Sequence, residues 1–394
     1  MEGSNTTLLD GHLAQTTMHP FALHIERADG IYLYDKQGKA YMDMISGVGV
    51  SNLGHGNKQI ADAIKQQVYK HLHVMVYGEF VQEAQMDAAR ELTSWLPPSL
   101  DTCYFVNSGT EAVEASLKLA KRVTGRQEII AMQGAYHGNT HGSMSVSSNE
   151  TKKSAFRPLL PGISFIPFND ESSLRCINES TACVITETIQ GDAGIRIPDV
   201  SYMKALRMRC SETGTLLILD EIQCGMGRAG SMFAFQQMDI VPDVLVLGKA
   251  LGGGMPVGCV VSSRKNMERL THDPMLGHIS TFAGHPVVCA AVAATLKVYK
   301  QEDILRDVET KGQWLAAQLR THNAVKEVRQ RGLFIAVDLE SAEKVQIVVQ
   351  RCLDDGLISF WFLSCPASFR LAPPLTTTQL ELEKAYNILQ RALD

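Results

Sequence analysis

The lysine in VLVLGKALGGGMPVG lies between an apolar run and three glycines. Lys249 directly follows residues 244–248 and precedes Gly252, Gly253 and Gly254. These neighbours are not typical of a solvated surface charge, so we expect Lys249 to end a strand in a dry pocket. Its amine can form an imine with an aldehyde and later act as a general base, which requires a neutral amine. A lysine in isolation is more often a surface or ion-paired residue, and the flanking sequence argues against that alternative.

A pair of acidic residues ends the apolar run LLILDE. Asp220 and Glu221 follow four apolar residues, and charge at that depth is costly unless it is paired. A carboxylate there can hold the protonated pyridine nitrogen of an aromatic cofactor, and Gln223 just beyond it can form a hydrogen bond with a phenolic oxygen on the same ring. Taken alone, the acidic pair is more often a helix cap at a strand end.

A third segment, FVNSGTEAVEAS, places hydroxyls and a glycine between a strand and a helix. Ser108, Gly109 and Thr110 lie where the first amides of the helix are unpaired, an arrangement that suits a phosphate group. An ordinary helix cap explains the segment equally well. Phosphate loop, acid and lysine each end a predicted strand, which is where open α/β sheets bind ligands.

Short apolar runs alternate with helical patterns through the middle of the chain. The predicted strands are TCYFV (102–106), EIIAM (128–132), ACVIT (182–186), LLILD (216–220), VLVLG (244–248) and VGCVVS (257–262). This order predicts an α/β fold with a mostly parallel sheet. We predict a large domain over residues 55–285. Residues 1–54, with a hairpin at 30–44, and residues 286–394 form a smaller α+β domain.

The composition favours a soluble enzyme acting on small molecules. The 394 residues carry a net charge of −5 without a basic cluster, which argues against nucleic-acid binding. Nine cysteines lack the spacing of a zinc site, and no apolar run approaches membrane-span length. We therefore expect a cytoplasmic protein with reduced cysteines, no metal and no membrane partner.

Motifs along nearly the whole chain resemble the class III aminotransferases. They are NSGTEAVEASLKLAK, YHGNTHGS, ETIQGDAGI, LILDEIQCGMGRAG, LGKALGGGMPVG, HISTFAGHP and FRLAPPL. The nearest subgroup is the ornithine and acetylornithine aminotransferases. The resemblance implies a fold-type I architecture, pyridoxal 5'-phosphate as cofactor, and a homodimer with active sites at the subunit interface.

The resemblance also implies roles for the residues that would bind the cofactor. Lys249 and Asp220 would be catalytic, the latter at the ring nitrogen. The other cofactor contacts would be Ser108, Gly109 and Thr110 at the phosphate, Tyr136 stacked on the ring with His137 beside it, Gln223 at the phenolic oxygen, and Thr281 reaching the partner subunit's cofactor.

Three further residues would form the substrate side. Arg370 matches the arginine that grips a substrate α-carboxylate, and Asp192 lies where many relatives have a glutamate that pairs with it. Glu187 matches a second acid near the same pocket. The acid at 192 would mask Arg370 in one half-reaction and release it in the other.

Two positions depart from the subgroup and concern the substrate. Asn139 stands where the subgroup has an arginine that is expected to bind a distal carboxylate. A neutral asparagine cannot make the bidentate, charge-assisted contact of that arginine. Val48 lies about where ornithine aminotransferases have a tyrosine that contacts ornithine. An acylated or simpler amine is therefore favoured over free ornithine as donor.

We predict an aminotransferase that moves an amino group from an acetylornithine- or ornithine-like omega-amino acid to an oxo acid acceptor. The alternative is a pyruvate-dependent omega-amino acid or amine transaminase of broader specificity. An isomerase or lyase on the same scaffold, needing no acceptor, is another. A nicotinamide-dependent oxidoreductase is a third hypothesis, because GMGRAG formally fits a dinucleotide fingerprint. Its glycines, however, follow the predicted strand end by several residues, whereas the fingerprint requires them in the strand-to-helix turn.

Overall fold

The computed structural model describes residues 12–17, 20–76 and 78–394. The α-helices in that part are α1 (Ser46–Gly49), α2 (Lys58–Lys70), α3 (Glu83–Thr93), α4 (Gly109–Thr124), α5 (His141–Val146), α6 (Glu150–Lys153), α7 (Val200–Thr213), α8 (Arg264–Met267), α9 (Pro286–Gln301), α10 (Val308–Arg320), α11 (Ala342–Asp354) and α12 (Gln379–Leu393). Short 3-10 turns occupy Ser154–Phe156, Glu171–Cys176, Ala234–Met238, Lys249–Gly252 and Glu268–Leu270.

The strands of the same part form three sheets. They are β1 (Ile25–Asp29), β2 (Tyr32–Asp35), β3 (Ala40–Asp43), β4 (Thr102–Val106), β5 (Glu128–Met132), β6 (Ile163–Ile166), β7 (Thr181–Glu187), β8 (Leu216–Asp220), β9 (Val244–Gly248), β10 (Gly258–Ser262), β11 (Glu327–Arg331), β12 (Phe334–Asp338), β13 (Leu357–Ile358), β14 (Phe360–Trp361) and β15 (Ser368–Leu371).

The large sheet has seven strands in the order β4-β10-β9-β8-β7-β5-β6. Strand β10 is antiparallel to both of its neighbours, and the other strands share one direction. The six predicted apolar runs coincide with β4, β5, β7, β8, β9 and β10 to within one residue at each end. The predicted α/β class with a mostly parallel sheet is confirmed.

Both faces of the large sheet are covered, which explains why its strands are apolar at every position. In β8, Leu217 and Leu219 pack into one hydrophobic cluster, whereas Ile218 packs into another on the opposite face. Strand β9 divides in the same way, with Leu245 on one side and Val246 on the other. A strand buried on both faces carries continuous apolar sequence because successive side chains point in opposite directions.

Helix α4 links the large sheet to the site described below. The hydroxyl of Ser108 accepts a hydrogen bond from the amide of Glu111 and so caps its first turn, and Gly125 ends it with a φ of 69°. The apolar face of α4, including Val113 and Leu117, is buried against the sheet. Its N-terminus therefore lies at the carboxyl end of β4.

The two smaller sheets have four strands each, β1-β2-β3-β13 and β11-β12-β15-β14. The predicted hairpin consists of β2 and β3, with Gly38 at a φ of 81° in the turn. Ile31 and Met42 from this region share a hydrophobic cluster with Leu315 of α10 and Leu382 of α12. The chain therefore has a smaller α+β part that joins its N-terminal hairpin to its C-terminal helices.

Helix α9 packs against α2 and α3. Its buried residues, such as Val292 and Leu296, belong to a cluster on the large sheet. The domain boundaries after residues 54 and 285 stay a prediction. None of the helices in the described part is both long and apolar enough to span a membrane.

Candidate active site

Lys249 stands at the carboxyl end of β9 in an unusual backbone conformation. Its φ is 45°, and it begins the 3-10 turn that contains Gly252. For a residue with a side chain this left-handed conformation costs about 1–3 kcal/mol, and it persists where the surrounding structure enforces it. No residue of the described chain accepts a hydrogen bond from the Lys249 amine or pairs with it. The fold thus presents an uncommitted amine at the sheet edge.

The charges around Lys249 show which side chains share its pocket. Burial lowers the pKa of Lys249, and the positive charge of Arg370 acts in the same direction. The carboxylates of Asp220 and Glu187 raise the pKa but do not cancel the effect of burial. A larger fraction of Lys249 is therefore neutral than in a solvated lysine, as a nucleophile or base requires.

Asp220 forms a buried pair with His137. The Nδ1 atom of His137 lies 2.7 Å from Oδ2 of Asp220, and the amide of Ile222 donates to Oδ1 at 2.9 Å. The amide of His137 donates to the hydroxyl of Ser147 at 2.9 Å, which fixes the backbone of that residue. Because a carboxylate only accepts, Nδ1 carries the proton of this hydrogen bond. The pair holds one carboxylate oxygen in a defined direction.

Glu187 lies beside Asp220 in the sheet, since the two are register partners of β7 and β8. Its carboxylate accepts from the amide of Tyr136 at 3.0 Å and from that of Gly191 at 2.8 Å. Burial raises the pKa of Glu187 to about 7. Through its two hydrogen bonds, Glu187 connects the loop after β5 to the loop after β7.

The predicted phosphate loop lies at the N-terminus of α4. Ser108 caps the helix, and the first amides of α4 have no partner within the helix. The hydroxyl of Thr110 lies 2.9 Å from that of Thr140 and 2.6 Å from that of Ser143. At Gly109, a Cβ atom would lie 2.8 Å from the Cδ1 atom of Ile222, so a larger residue there would require the Ile222 side chain to shift. The helix-cap reading of Ser108 is correct and leaves the helix N-terminus available to an anion.

Arg370, on β15, enters the same region from the smaller part of the chain. It is buried, with its guanidinium carbon 4.4 Å above the centre of the Phe362 ring. Its Nη2 atom lies 3.3 Å from the carbonyl oxygen of Trp361 and 3.4 Å from Oδ1 of Asp192. Its Nε atom is buried without a partner among the described residues. Arg370 therefore keeps donor capacity for a ligand.

Asp192 has other partners besides Arg370. The hydroxyl of Ser364 donates to Oδ2 at 2.7 Å, and the amide of Leu363 donates to Oδ1 at 3.2 Å. The amine of Lys152 lies 3.6 Å from Oδ2 and 6.0 Å from the centre of the Tyr136 ring. Asp192 thus lies between two cationic side chains and is anchored by two shorter hydrogen bonds.

Gln223 and Val48 lie close to this pocket. A Cβ atom on Gly191 would overlap with the Gln223 amide oxygen, and one on Gly49 would lie 3.9 Å from its Cγ atom. No described residue forms a hydrogen bond with the Gln223 side chain. Val48 is 37 % exposed, next to Gly49. The segment after β3 therefore meets the segment after β8.

Tyr136, Asn139 and Thr281 are more open. The ring of Tyr136 is 42 % exposed, and the Asn139 side chain is exposed without a hydrogen bond to the described chain. Thr281 is also exposed, and its carbonyl oxygen accepts from Nε2 of His73 at 2.9 Å. Whether Thr281 serves a second subunit stays a prediction.

The GMGRAG segment is structural. It forms a series of turns and opens no helix. Arg228 is fully buried and donates to the carbonyl oxygens of Leu333 and Pro373 at 2.9 and 2.6 Å. The glycines let this arginine tie the large sheet to the smaller part, which is unlike a dinucleotide-binding turn. Among the described residues, no group of three His, Cys, Asp or Glu side chains is arranged to hold a metal ion.

Comparison with known proteins identifies the family of the chain. The profile of the family described as Aminotransferase class-III matches residues 13–393. The chain belongs to the class-III aminotransferase family. It is therefore a pyridoxal-phosphate-dependent aminotransferase of fold type I, as the sequence motifs predicted.

Individual relatives agree with this assignment. The aminotransferase is 37 % identical to the acetylornithine aminotransferase of Methanopyrus kandleri over 96 % of each chain. It is 34 % identical to the [LysW]-aminoadipate semialdehyde/glutamate semialdehyde transaminase of Sulfurisphaera tokodaii, over 94 % of this chain and 95 % of that one. Among solved structures, the ornithine aminotransferase of Toxoplasma gondii superimposes with a TM-score of 0.91 at 27 % identity, covering 98 % of this chain and 92 % of that one.

The structure also shows site residues that the sequence analysis missed. Lys152 and Ser364 both approach Asp192, although they lie 40 positions before it and 172 after it. Glu114 of α4 accepts from the hydroxyl of Thr140 at 2.5 Å and from the amide of Gly142 at 2.8 Å, and so fixes the loop that carries Asn139. No motif marks Lys152 or Ser364, because a helix-end lysine and a loop serine are common in any surface segment.

Proposed function

We propose that this aminotransferase takes its amino group from an omega-amino acid of the acetylornithine or ornithine type and passes it to an oxo acid. One observation carries the proposal. Arg370 and Asp192 form a 3.4 Å pair whose guanidinium acts on the pKa of Lys249, so a carboxylate-binding cation lies near the reactive amine. Relatives named acetylornithine aminotransferase match nearly the whole chain and support the same donor class.

The residues of the pocket fit the cofactor. Pyridoxal 5'-phosphate supplies an aldehyde carbon that takes the amino group and a ring that withdraws electrons from the substrate carbon. Lys249 offers an amine without a partner, and Asp220 offers a buried carboxylate for the protonated ring nitrogen. The capped N-terminus of α4, with Ser108, Gly109 and Thr110, offers amides and hydroxyls for the phosphate.

The remaining cofactor contacts follow from their positions. Tyr136 presents an exposed ring that can stack on the cofactor, and adjacent His137 keeps the Asp220 carboxylate oriented. Gln223 has an uncommitted amide for the phenolic oxygen. Thr281 would reach the phosphate of a second subunit.

The proton transfer belongs to Lys249. Its Nζ atom, neutral more often than in water, would take the proton from the substrate carbon and deliver the same proton to the C4′ carbon of the bound cofactor. Asp220, oriented by His137, would hold the ring nitrogen during this transfer. An oxo acid then accepts the amino group in the reverse sequence of proton transfers.

On the substrate side, Arg370 binds an α-carboxylate and Asp192 pairs with Arg370 when the substrate presents an omega-amine instead. Glu187 lines the same pocket as a group that is half protonated at pH about 7. Val48 and Asn139 are exposed. They take the places of a tyrosine that would contact ornithine and of an arginine that would bind a distal carboxylate. The exposed neutral Asn139 supports a second candidate, a transaminase of broader specificity that uses pyruvate.

We also propose the assembly and location. The protein would be a homodimer in the cytoplasm. The exposure of Thr281 is consistent with a contact from this residue to the second subunit. The boundaries of the two domains, after residues 54 and 285, are part of the same proposal.

A half-reaction screen tests the proposed function. The visible band of the bound cofactor is followed as acetylornithine, ornithine, 4-aminobutyrate, β-alanine and simple amines are added, and again as 2-oxoglutarate or pyruvate is added. Loss of the band with acetylornithine and recovery with 2-oxoglutarate would support the main proposal. Loss with other amines and recovery with pyruvate alone would favour the broader transaminase. No loss with any amine would refute both.

A further inference from the structure

Lys152 is a cation of the pocket that neither the fold nor the mechanism above uses. Its Nζ atom is buried although 37 % of the side chain is exposed, and no described residue accepts a hydrogen bond from it. The nearest carboxylate oxygen, Oδ2 of Asp192, is 3.6 Å away, beyond hydrogen-bond distance. An ammonium group has three donors, and leaving them unused in a buried position is costly.

Asp192 cannot satisfy this ammonium by itself. Its Oδ2 atom already accepts from Ser364 at 2.7 Å, and its Oδ1 atom accepts from Leu363 and lies 3.4 Å from Arg370. One carboxylate therefore faces two cations, Arg370 and Lys152, and cannot neutralise both. The positive charge that is not neutralised, next to unused donors, favours an anion.

The position of Lys152 indicates which anion it binds. Its amine lies 6.0 Å from the ring centre of Tyr136, whose neighbour His137 contacts Asp220. Arg370 contacts the same Asp192 and acts electrostatically on Lys249. Lys152 and Arg370 thus approach different oxygens of the same carboxylate, which brings the two cations close enough for the two ends of a short diacid.

We propose that Lys152 is a specificity-determining residue that binds the distal carboxylate of a dicarboxylic oxo acid. This inference rests on the proposed function, because it assumes that the α-carboxylate of the same acceptor binds Arg370. Lys152 would supply the charge that Asn139 lacks. The ligand class is a five-carbon acid with a carboxylate at each end.

The test compares two unreactive acids, glutarate and butyrate, which differ by one carboxylate. Their dissociation constants are measured by calorimetry on the cofactor-loaded wild type, Lys152→Met and Lys152→Arg. Lys344→Met is the control, since it removes an exposed lysine of α11. We expect Lys152→Met to weaken glutarate about tenfold or more, as for a hydrogen-bonded charge, and to leave butyrate within about twofold. Lys152→Arg retains the preference for glutarate, and Lys344→Met changes neither constant.

A kinetic comparison provides a second readout. In Lys152→Met the KM for 2-oxoglutarate rises by a similar factor while kcat and the KM for pyruvate stay unchanged. Equal weakening of glutarate and butyrate would mean that Lys152 acts only through Asp192, and no change in glutarate binding would mean that the distal carboxylate binds elsewhere; either result overturns the inference. Failure of the proposed function is a separate result. In that case no amine would alter the cofactor band of the wild type, whatever the dissociation constants for glutarate and butyrate are.

Discussion

The Nδ1 atom of His137 lies 2.7 Å from the Oδ2 atom of Asp220, with both side chains buried. Asp220→Asn keeps the shape of this side chain but removes the charge that we propose for the cofactor's ring nitrogen. We expect kcat to fall about 100-fold or more, as for loss of a buried charge that stabilises a transition state. Steady-state kinetics on cofactor-saturated protein measures the effect. Asp239→Asn, which breaks only the exposed pair with Lys204, is the control and should leave kcat unchanged.

The uncommitted amine of Lys249 gives a chemical prediction. Lys249→Ala abolishes turnover and leaves the fold intact, because the side chain donates no hydrogen bond that holds the described structure. Treatment of loaded wild type with borohydride should add the mass of the reduced cofactor covalently, and the variant should gain none. The exposed residue Lys344, changed to alanine, serves as control. Turnover by Lys249→Ala would contradict the mechanism.

Arg370 should separate substrates with an α-carboxylate from those without one. In Arg370→Met the apolar part still packs on Phe362, and Asp192 keeps its hydrogen bonds from Leu363 and Ser364. We expect the KM for oxo acids to rise about 10- to 100-fold, because a charge-assisted guanidinium contact is lost. Half-reactions with amines that lack an α-carboxylate should keep their rates. Equal losses for both groups of substrates would indicate a general disturbance of the pocket.

Asn139 is exposed and makes no hydrogen bond to the described chain, so a longer side chain fits there. Asn139→Arg should lower the KM for 2-oxoglutarate, since arginine binds a carboxylate in a bidentate, charge-assisted way. Asn139→Gln tests side-chain length without charge and should have little effect. An unchanged KM in the arginine variant would mean that the distal carboxylate lies away from position 139.

Glu221 predicts how stability depends on pH. It is buried and accepts from the hydroxyl of Thr188 and the amides of Ala234 and Phe235, and burial raises its pKa from 4.5 to about 7. Between these values the folded protein binds the proton more tightly than the unfolded chain does, so this group's contribution to stability falls as pH rises through that window. Relative to Glu221→Gln, wild type should lose about 3 kcal/mol between pH 4.5 and 7.5, measured by urea unfolding. A difference that is constant across this range would contradict the raised pKa.

The strands around the site were predictable because their sequence reflects a local rule. Strands β8 and β9 are covered on both faces, and the resulting apolar runs end where Asp220 and Lys249 begin. Chain direction in a parallel sheet then places both residues at one edge. The sequence therefore predicted the elements that carry the amine, the acid and the phosphate loop.

The substrate side depended on tertiary structure. The resemblance anticipated that Asp192 pairs with Arg370, whereas no spacing in the sequence relates Lys152 or Ser364 to that pair. The sequence alone determined the family and the strands and indicated Lys249 as the candidate reactive lysine, since each follows from local apolar pattern and adjacent motif. Only the tertiary structure decided that Asp192 lies between Lys152 and Arg370, because electrostatic pairing depends on distances in space that the order of residues does not specify.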